Sequence, residues 1–127
     1  MIGIIDYGMG NLRSVEKAFQ ALGADCSLLS DPVSTRDLSG VVLPGVGAFV
    51  EAMENLDRRG WIGWIREKTD SGLPLLGICL GLQLFFERSE EGEGAGGLGL
   101  IPGRVVRFPE SVPVVPHMGW NRLNITP

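Results

Sequence analysis

Leu76-Gly77-Ile78-Cys79-Leu80-Gly81-Leu82-Gln83 is the stretch on which the reading of this chain turns. Residues 73–78 form a short apolar run suited to a buried strand, and residues 80–88 read as a helix. Between the two stands a cysteine with a glycine two places before it and two places after it. A nucleophile on a sharp strand-to-helix turn needs small neighbours, because the backbone is strained there and the side chain must project into open space. A helix starting at Leu80 would bring unpaired N–H groups and a positive dipole end to the sulfur, favouring thiolate and offering donors to an oxyanion. The competing reading is a small buried apolar residue, the usual fate of a free cysteine; the G-x-C-x-G frame favours the nucleophile.

Outward from this stretch, short apolar runs alternate with amphipathic ones. Residues 2–5 read as a buried strand ended by Asp6-Tyr7-Gly8-Met9-Gly10. Asn11 is placed to cap a helix whose Val15, Ala18, Phe19 and Leu22 share one face, with Gly23 as its stop. Residues 26–29 suit a second strand and 41–43 a third, cut off by Pro44-Gly45-Val46-Gly47. A helical stretch then presents Phe49, Met53, Leu56, Trp61, Trp64 and Ile65 on its apolar side. This alternation predicts an α/β fold with a mostly parallel sheet covered on both faces, and leaves the strand order open. From Glu90 onward the character changes. Residues 89–99, rich in Glu and Gly, suit a flexible loop, 105–108 a strand, and 109–116, with three prolines, an edge or connector.

The 127 residues are enough for one domain with one core. Hydrophobic residues make up 44% and charged residues 20%, so a packed interior is expected rather than disorder. A net charge of −4 without a basic block argues against a nucleic-acid or anionic-membrane surface. The first apolar run stops at Asp6, too short for a secretory core, and no run is long enough to span a bilayer. Cys26 and Cys79 do not form a disulfide framework, so a reduced, cytoplasmic setting is expected. One histidine, His117, and two distant cysteines leave no metal site, and no cofactor is expected.

Three further motifs bear on chemistry. Paired glycines after the third strand, Gly45 and Gly47 around Val46, allow backbone N–H groups to face the crevice at the strand's carboxyl end. Alone they would be an ordinary tight turn; beside a thiol-bearing turn they suit an oxyanion donor. Gly8-Met9-Gly10 suggests a dinucleotide fingerprint, but Arg13 stands where the third glycine belongs, so it reads as a strand-to-helix turn. Pro116-His117-Met118-Gly119-Trp120-Asn121 reads equally as core or as a docking face anchored by Trp120. His117, the only imidazole, sits among prolines and shows no sign of serving as a base.

Asp6-Tyr7-Gly8-Met9-Gly10-Asn11-Leu12, Leu43-Pro44-Gly45-Val46-Gly47-Ala48-Phe49, Gly77-Ile78-Cys79-Leu80-Gly81-Leu82-Gln83, Gly97-Leu98-Gly99-Leu100-Ile101-Pro102-Gly103 and Pro116-His117-Met118-Gly119-Trp120-Asn121 together resemble the glutaminase subunits of imidazole glycerol phosphate synthases. These are class I, triad-type glutamine amidotransferases of histidine biosynthesis. The resemblance runs from residue 2 to about residue 125, and implies a flavodoxin-like three-layer fold. It implies that Cys79 attacks the side-chain amide of glutamine to give a thioester and ammonia. The Leu80 N–H and one from Gly45, Val46 or Gly47 would form the oxyanion hole, after a flip of that turn that keeps the enzyme quiet until its partner is loaded. Gln83 would help to hold glutamine. Ammonia would pass to a cyclase subunit with a (β/α)₈ barrel, contacted near Pro116, His117, Met118, Trp120 and Asn121.

The family completes its triad with an H-x-E pair well downstream of the cysteine, and no such pair occurs in residues 1–127. The expectation is therefore a single incomplete domain, truncated at its C-terminal side, with little activity of its own and an unpaired sheet edge that favours association. Two alternatives remain: a glutaminase of another pathway, such as anthranilate synthesis, and a non-catalytic module that docks on the barrel or binds glutamine without cleaving it.

Overall fold

The computed structural model describes residues 1–33 and 37–125. Four parallel strands form the central sheet in the order β2-β1-β3-β4, with β1 at Ile2–Ile5, β2 at Cys26–Leu29, β3 at Gly40–Gly45 and β4 at Leu75–Cys79. Helix α1, Leu12–Ala21, crosses from β1 to β2, and α2, Phe49–Arg58, with α3, Trp61–Asp70, crosses from β3 to β4. The chain thus leaves β1 for one edge and returns to the other side of β1 with β3. In such sheets the crevice for ligands opens at the carboxyl ends of the strands where the winding reverses, here β1 and β3. The family resemblance implied this doubly wound, flavodoxin-like arrangement.

Alternation along the strands sorts the two faces. Ile5, Val41 and Leu43 join the core with Phe49, Ala52, Leu56, Trp61, Trp64 and Ile65 of α2 and α3. Ile4 and Val42 are as deeply buried but stand apart from that cluster, on the α1 side. Trp61 and Trp64 meet edge to face with ring centroids 5.3 Å apart, the arrangement their quadrupoles favour. Gly60 breaks the helical stretch expected over residues 49–65 into α2 and α3, with a left-handed φ of 75°.

Asn11 caps α1 as expected, its Oδ1 accepting the Ser14 N–H at 3.3 Å. The face predicted for that helix is less protected: none of its residues is fully buried, Ala18 is exposed, and Leu22 is 83% exposed. The helix lies over β1 and β2 and leaves β4 open on that side, where Leu76 is half exposed. Leu22 therefore points past the sheet rather than onto it.

Beyond Cys79 the expectations need three corrections. The helix expected over residues 80–88 is a single turn, α4 at Leu80–Gln83, followed by strand β5 at Phe86–Ser89. The strand expected over residues 105–108 is β6 at Ile101–Val105, paired in parallel with β5 as a separate two-stranded sheet. The Glu/Gly-rich loop is anchored rather than loose. Leu98 is 1% exposed, and the Ser89, Gly97 and Leu98 N–H groups donate to Ala95, Glu87 and Leu84 carbonyls. Among the described residues no helix is long and apolar enough to cross a membrane.

Candidate active site

Cys79 ends β4 and begins α4, with φ 56° and ψ −116°. That is outside the regions open to an L residue at low cost, and such strain is typically worth ~1–3 kcal/mol. The surroundings hold it in place. A Cβ on Gly77 would lie 2.6 Å from both the Leu82 nitrogen and Cα, and one on Gly81 would overlap the Leu43 carbonyl oxygen. The two glycines let β4 and α4 fold back on each other and on β3 closely enough to force the bend. The thiol is left exposed at the carboxyl end of the sheet.

The Pro44–Gly47 turn is wedged against this elbow. Register pairs Gly45 with Cys79. A Cβ on Gly45 would sit 2.7 Å from the Gly81 nitrogen, 2.9 Å from the Leu80 Cβ and 3.0 Å from the Tyr7 hydroxyl. Gly47 has φ 94°, and Val46 between the glycines is half exposed. The turn after β1 closes the third side. Gly10 packs on Pro44 and Met9 on Gly47, while the Asp6 carboxylate accepts the Gly8 N–H at 3.0 Å. Three strand ends, β1, β3 and β4, therefore meet around the cysteine, the β1 turn joining the two that the sequence sets side by side.

Because α4 is one turn long, little macrodipole is available at the sulfur. What remains are the N–H groups of its first residues, which have no partner within the helix. An exposed thiol on a strained elbow, with backbone donors beside it, can attack a carbonyl carbon and hold the resulting oxyanion.

Gln83 closes α4 and lines a cavity of about 620 Å³ with Glu91, Arg107, Phe108 and Val115; Cys79 is not part of its wall. Glu91 had no signal in the sequence beyond its place in an acidic run. Its Oε1 accepts the Phe49 N–H at 3.2 Å, at the start of α2, where Ala48 offers no side-chain cap. Glu91 thus links the Gln83 cavity to the helix that follows the Gly45–Gly47 turn. Neighbouring Glu90 is already engaged, accepting the Arg107 N–H at 3.0 Å and facing Arg104.

His117 is exposed, and among the described residues no hydrogen bond or ion pair joins it to Cys79. Pro116, Met118, Trp120 and Asn121 lie with it on an irregular outer segment, where Met118 is 84% exposed and Trp120 fully so. Among the described residues no group of three His, Cys, Asp or Glu side chains converges to hold a metal.

Cys26 differs from Cys79. It is half-buried, its Sγ donates to the Glu16 carbonyl at 3.7 Å, and desolvation, then the Glu16 and Asp25 carboxylates, push its thiol pKa up. Iodoacetamide near neutral pH should therefore modify Cys79 several-fold faster than Cys26, with Cys26 catching up only as the pH rises. Peptide mapping of the alkylated protein reads the ratio; equal rates would contradict the assignment.

Residues 3–123 match the glutamine amidotransferase class-I family. The chain is 55% identical over 124 residues to an imidazole glycerol phosphate synthase subunit HisH of Desulfitobacterium hafniense, covering 98% of this chain and 58% of that protein. The HisH of Archaeoglobus fulgidus is 55% identical over 127 residues, covering 99% of this chain and 61% of the relative. The chain thus spans roughly three-fifths of the length of these relatives. Among solved structures, a glutamine amidotransferase superposes with a TM-score of 0.72 at 21% identity, covering 84% of this chain and 56% of that one. A putative peptidase E protein from Listeria monocytogenes reaches 0.64 at 14% identity, covering 79% and 62%. At these identities the structures speak for the fold alone.

Proposed function

Because the chain belongs to the class-I glutamine amidotransferases, we propose that it forms the nucleophile-bearing part of a glutaminase subunit of imidazole glycerol phosphate synthase. The observation that carries this reading is the strained, exposed Cys79 between Gly77 and Gly81, with the Gly45–Gly47 turn against it. Cys79 attacks the side-chain carbonyl of glutamine, and the oxyanion rests on the Leu80 N–H and one from the Gly45–Gly47 turn. Collapse of the intermediate expels ammonia and leaves a glutamyl thioester, and water hydrolyses that thioester to glutamate and the free thiol. Gln83 orients the substrate, and Glu91 offers a carboxylate to its ammonium group across the shared cavity.

Ammonia then passes to a (β/α)₈-barrel cyclase subunit, which makes imidazole glycerol phosphate and its carboxamide ribonucleotide by-product in histidine biosynthesis. The exposed segment with Pro116, His117, Met118, Trp120 and Asn121 supplies the contact. Trp120 is its anchor, an exposed aromatic of the kind that interfaces favour. The setting is the cytoplasm, where both the thiol and the amino-acid substrate are available.

The imidazole base of the reaction is assigned to none of residues 1–127. Their only histidine is exposed on the outer segment. General acid–base assistance is commonly worth ~10²–10⁴ in rate. A polypeptide of residues 1–127 should therefore turn over glutamine at least a hundredfold more slowly than the whole subunit carrying them, both assayed with cyclase partner and its nucleotide ligand. Comparable rates would overturn the assignment. No turnover by the whole subunit would favour a docking or glutamine-binding module instead.

A further inference from the structure

Tyr7 lies two residues beyond β1, is 0% exposed and belongs to the main core cluster. Its hydroxyl makes no hydrogen bond with any described residue. A buried hydroxyl without a partner is a standing cost, and phenylalanine would fill the same space without it. Such an orphan in a well-packed core calls for a physical reason. The only other one among the described residues, Trp61 Nε1, lies at the start of α3, on an element that carries no site residue.

The position of the Tyr7 hydroxyl is informative. It lies 3.0 Å from the point where a Gly45 Cβ would stand, and the Gly81 nitrogen lies 2.7 Å from the same point. The hydroxyl thus sits on the buried side of the Gly45–Gly47 turn, beneath the elbow, while the thiol of Cys79 is on the exposed side. A trans peptide is planar, and its C=O and N–H point to opposite sides. If the Gly45–Val46 peptide aims its N–H at an oxyanion on Cys79, the Gly45 carbonyl must turn inward. There it needs a donor, because a buried unpaired carbonyl is costly.

We propose that Tyr7 is a positioning residue for the oxyanion turn: its hydroxyl donates to the Gly45 carbonyl when the Gly45–Val46 peptide turns its N–H toward Cys79. The hydroxyl, unpaired in this structure, gains a partner in that arrangement, so it biases the turn toward the orientation that completes the hole. Burial pushes the Tyr7 pKa up to about 12, so the group stays a proton donor throughout the working range. Met9 and Gly10, packed on Gly47 and Pro44, hold the β1 turn against the Pro44–Gly47 segment. Gly45 itself must lack a side chain, since a Cβ would fill the gap in which the hydroxyl and carbonyl meet. The inference rests on the amidotransferase reading.

The test is Tyr7→Phe in the whole subunit, assayed with its cyclase partner and nucleotide ligand present. Glutamine kcat should fall roughly tenfold, the worth of one hydrogen bond made in the transition state but not before it. KM should stay within about twofold, because ground-state binding is untouched. The melting temperature should be unchanged or raised, since an orphan hydroxyl is removed. Iodoacetamide should alkylate Cys79 at the wild-type rate. A kcat within about twofold of wild type would overturn the proposal, and so would a loss of kcat accompanied by a lower melting temperature, which would mark an ordinary structural contact. Absence of turnover in the wild-type subunit would be visible before any substitution; it would remove the amidotransferase reading and this inference together.

Discussion

Replacing Cys79 with alanine in the whole subunit should abolish glutamine turnover, a loss on the order of 10⁴-fold or more, as for nucleophile knockouts in other acyl-transfer enzymes. The size follows from the chemistry. Leu80 and the Gly45–Gly47 turn can offer donors to an oxyanion, but without sulfur no thioester forms and nothing is left for them to stabilise. An electrophilic glutamine analogue should label the wild type at one site, Cys79, and leave Cys79→Ala unlabelled. The variant should keep its melting temperature, because the strain of φ 56° is common to cysteine and alanine and no hydrogen bond of the described residues is lost with the thiol. Turnover within tenfold of wild type, or labelling that persists in the variant, would dismiss Cys79 as the nucleophile. An unlabelled wild type, with partner and nucleotide ligand present, would favour a module that binds without cleaving.

Gly81→Ala should be among the most damaging single substitutions outside the thiol itself. The added Cβ would overlap the Leu43 carbonyl oxygen and stand 2.8 Å from the Leu43 carbonyl carbon. Both atoms are backbone in β3, which is hydrogen-bonded to β1 and β4 on either side, so neither can yield without opening the sheet. Overpacking of this kind costs ~1–3 kcal/mol and occasionally more, and a backbone collision belongs at the upper end. Gly63→Ala is the matched control. It sits inside α3 with open space around it, and alanine there should stabilise by ~0.5–1 kcal/mol through helix propensity. Urea midpoints for the two variants should move in opposite directions. A Gly81→Ala midpoint equal to wild type would mean that the elbow is looser than its packing implies.

Some of this was open to reading from residues alone, because the signals were local. Ile2–Ile5, Cys26–Leu29 and Leu75–Cys79 are mostly apolar runs bounded by breakers, and such runs pair as parallel strands even where, as at Leu28 and Leu76, one side chain stays exposed. The glycine spacing about Cys79 is a steric requirement of the bend itself, so it shows in the sequence wherever the bend occurs. Beyond Cys79 local signals conflict. Residues 80–86 are apolar at nearly every position, which gives neither a period of 3.6 nor one of 2, and the chain switches from helix to strand within them. β6 contains Pro102 and Gly103, which propensity assigns to a turn. They are tolerated there because the pair β5–β6 is two strands wide, so each strand has a free edge where a proline needs no donor.

Glu91 and Tyr7 carried no pattern of their own. Each acquires a role only through a neighbour distant in sequence, the Phe49 N–H for one and Gly45 for the other. Trp120 read equally as core or docking anchor in the sequence, and among the described residues nothing covers it.

By itself, then, the sequence determined that this chain is an alternating α/β domain with a thiol framed for nucleophilic attack, since helix and strand periods and the steric needs of a tight bend are written in adjacent residues. Only the tertiary structure decided that three turns, from residues 6–10, 44–47 and 77–81, close on one point, and that the Tyr7 hydroxyl waits unpaired beneath Gly45. Contacts across the sheet depend on strand order and register, and those are properties of the packed chain as a whole rather than of any segment of it.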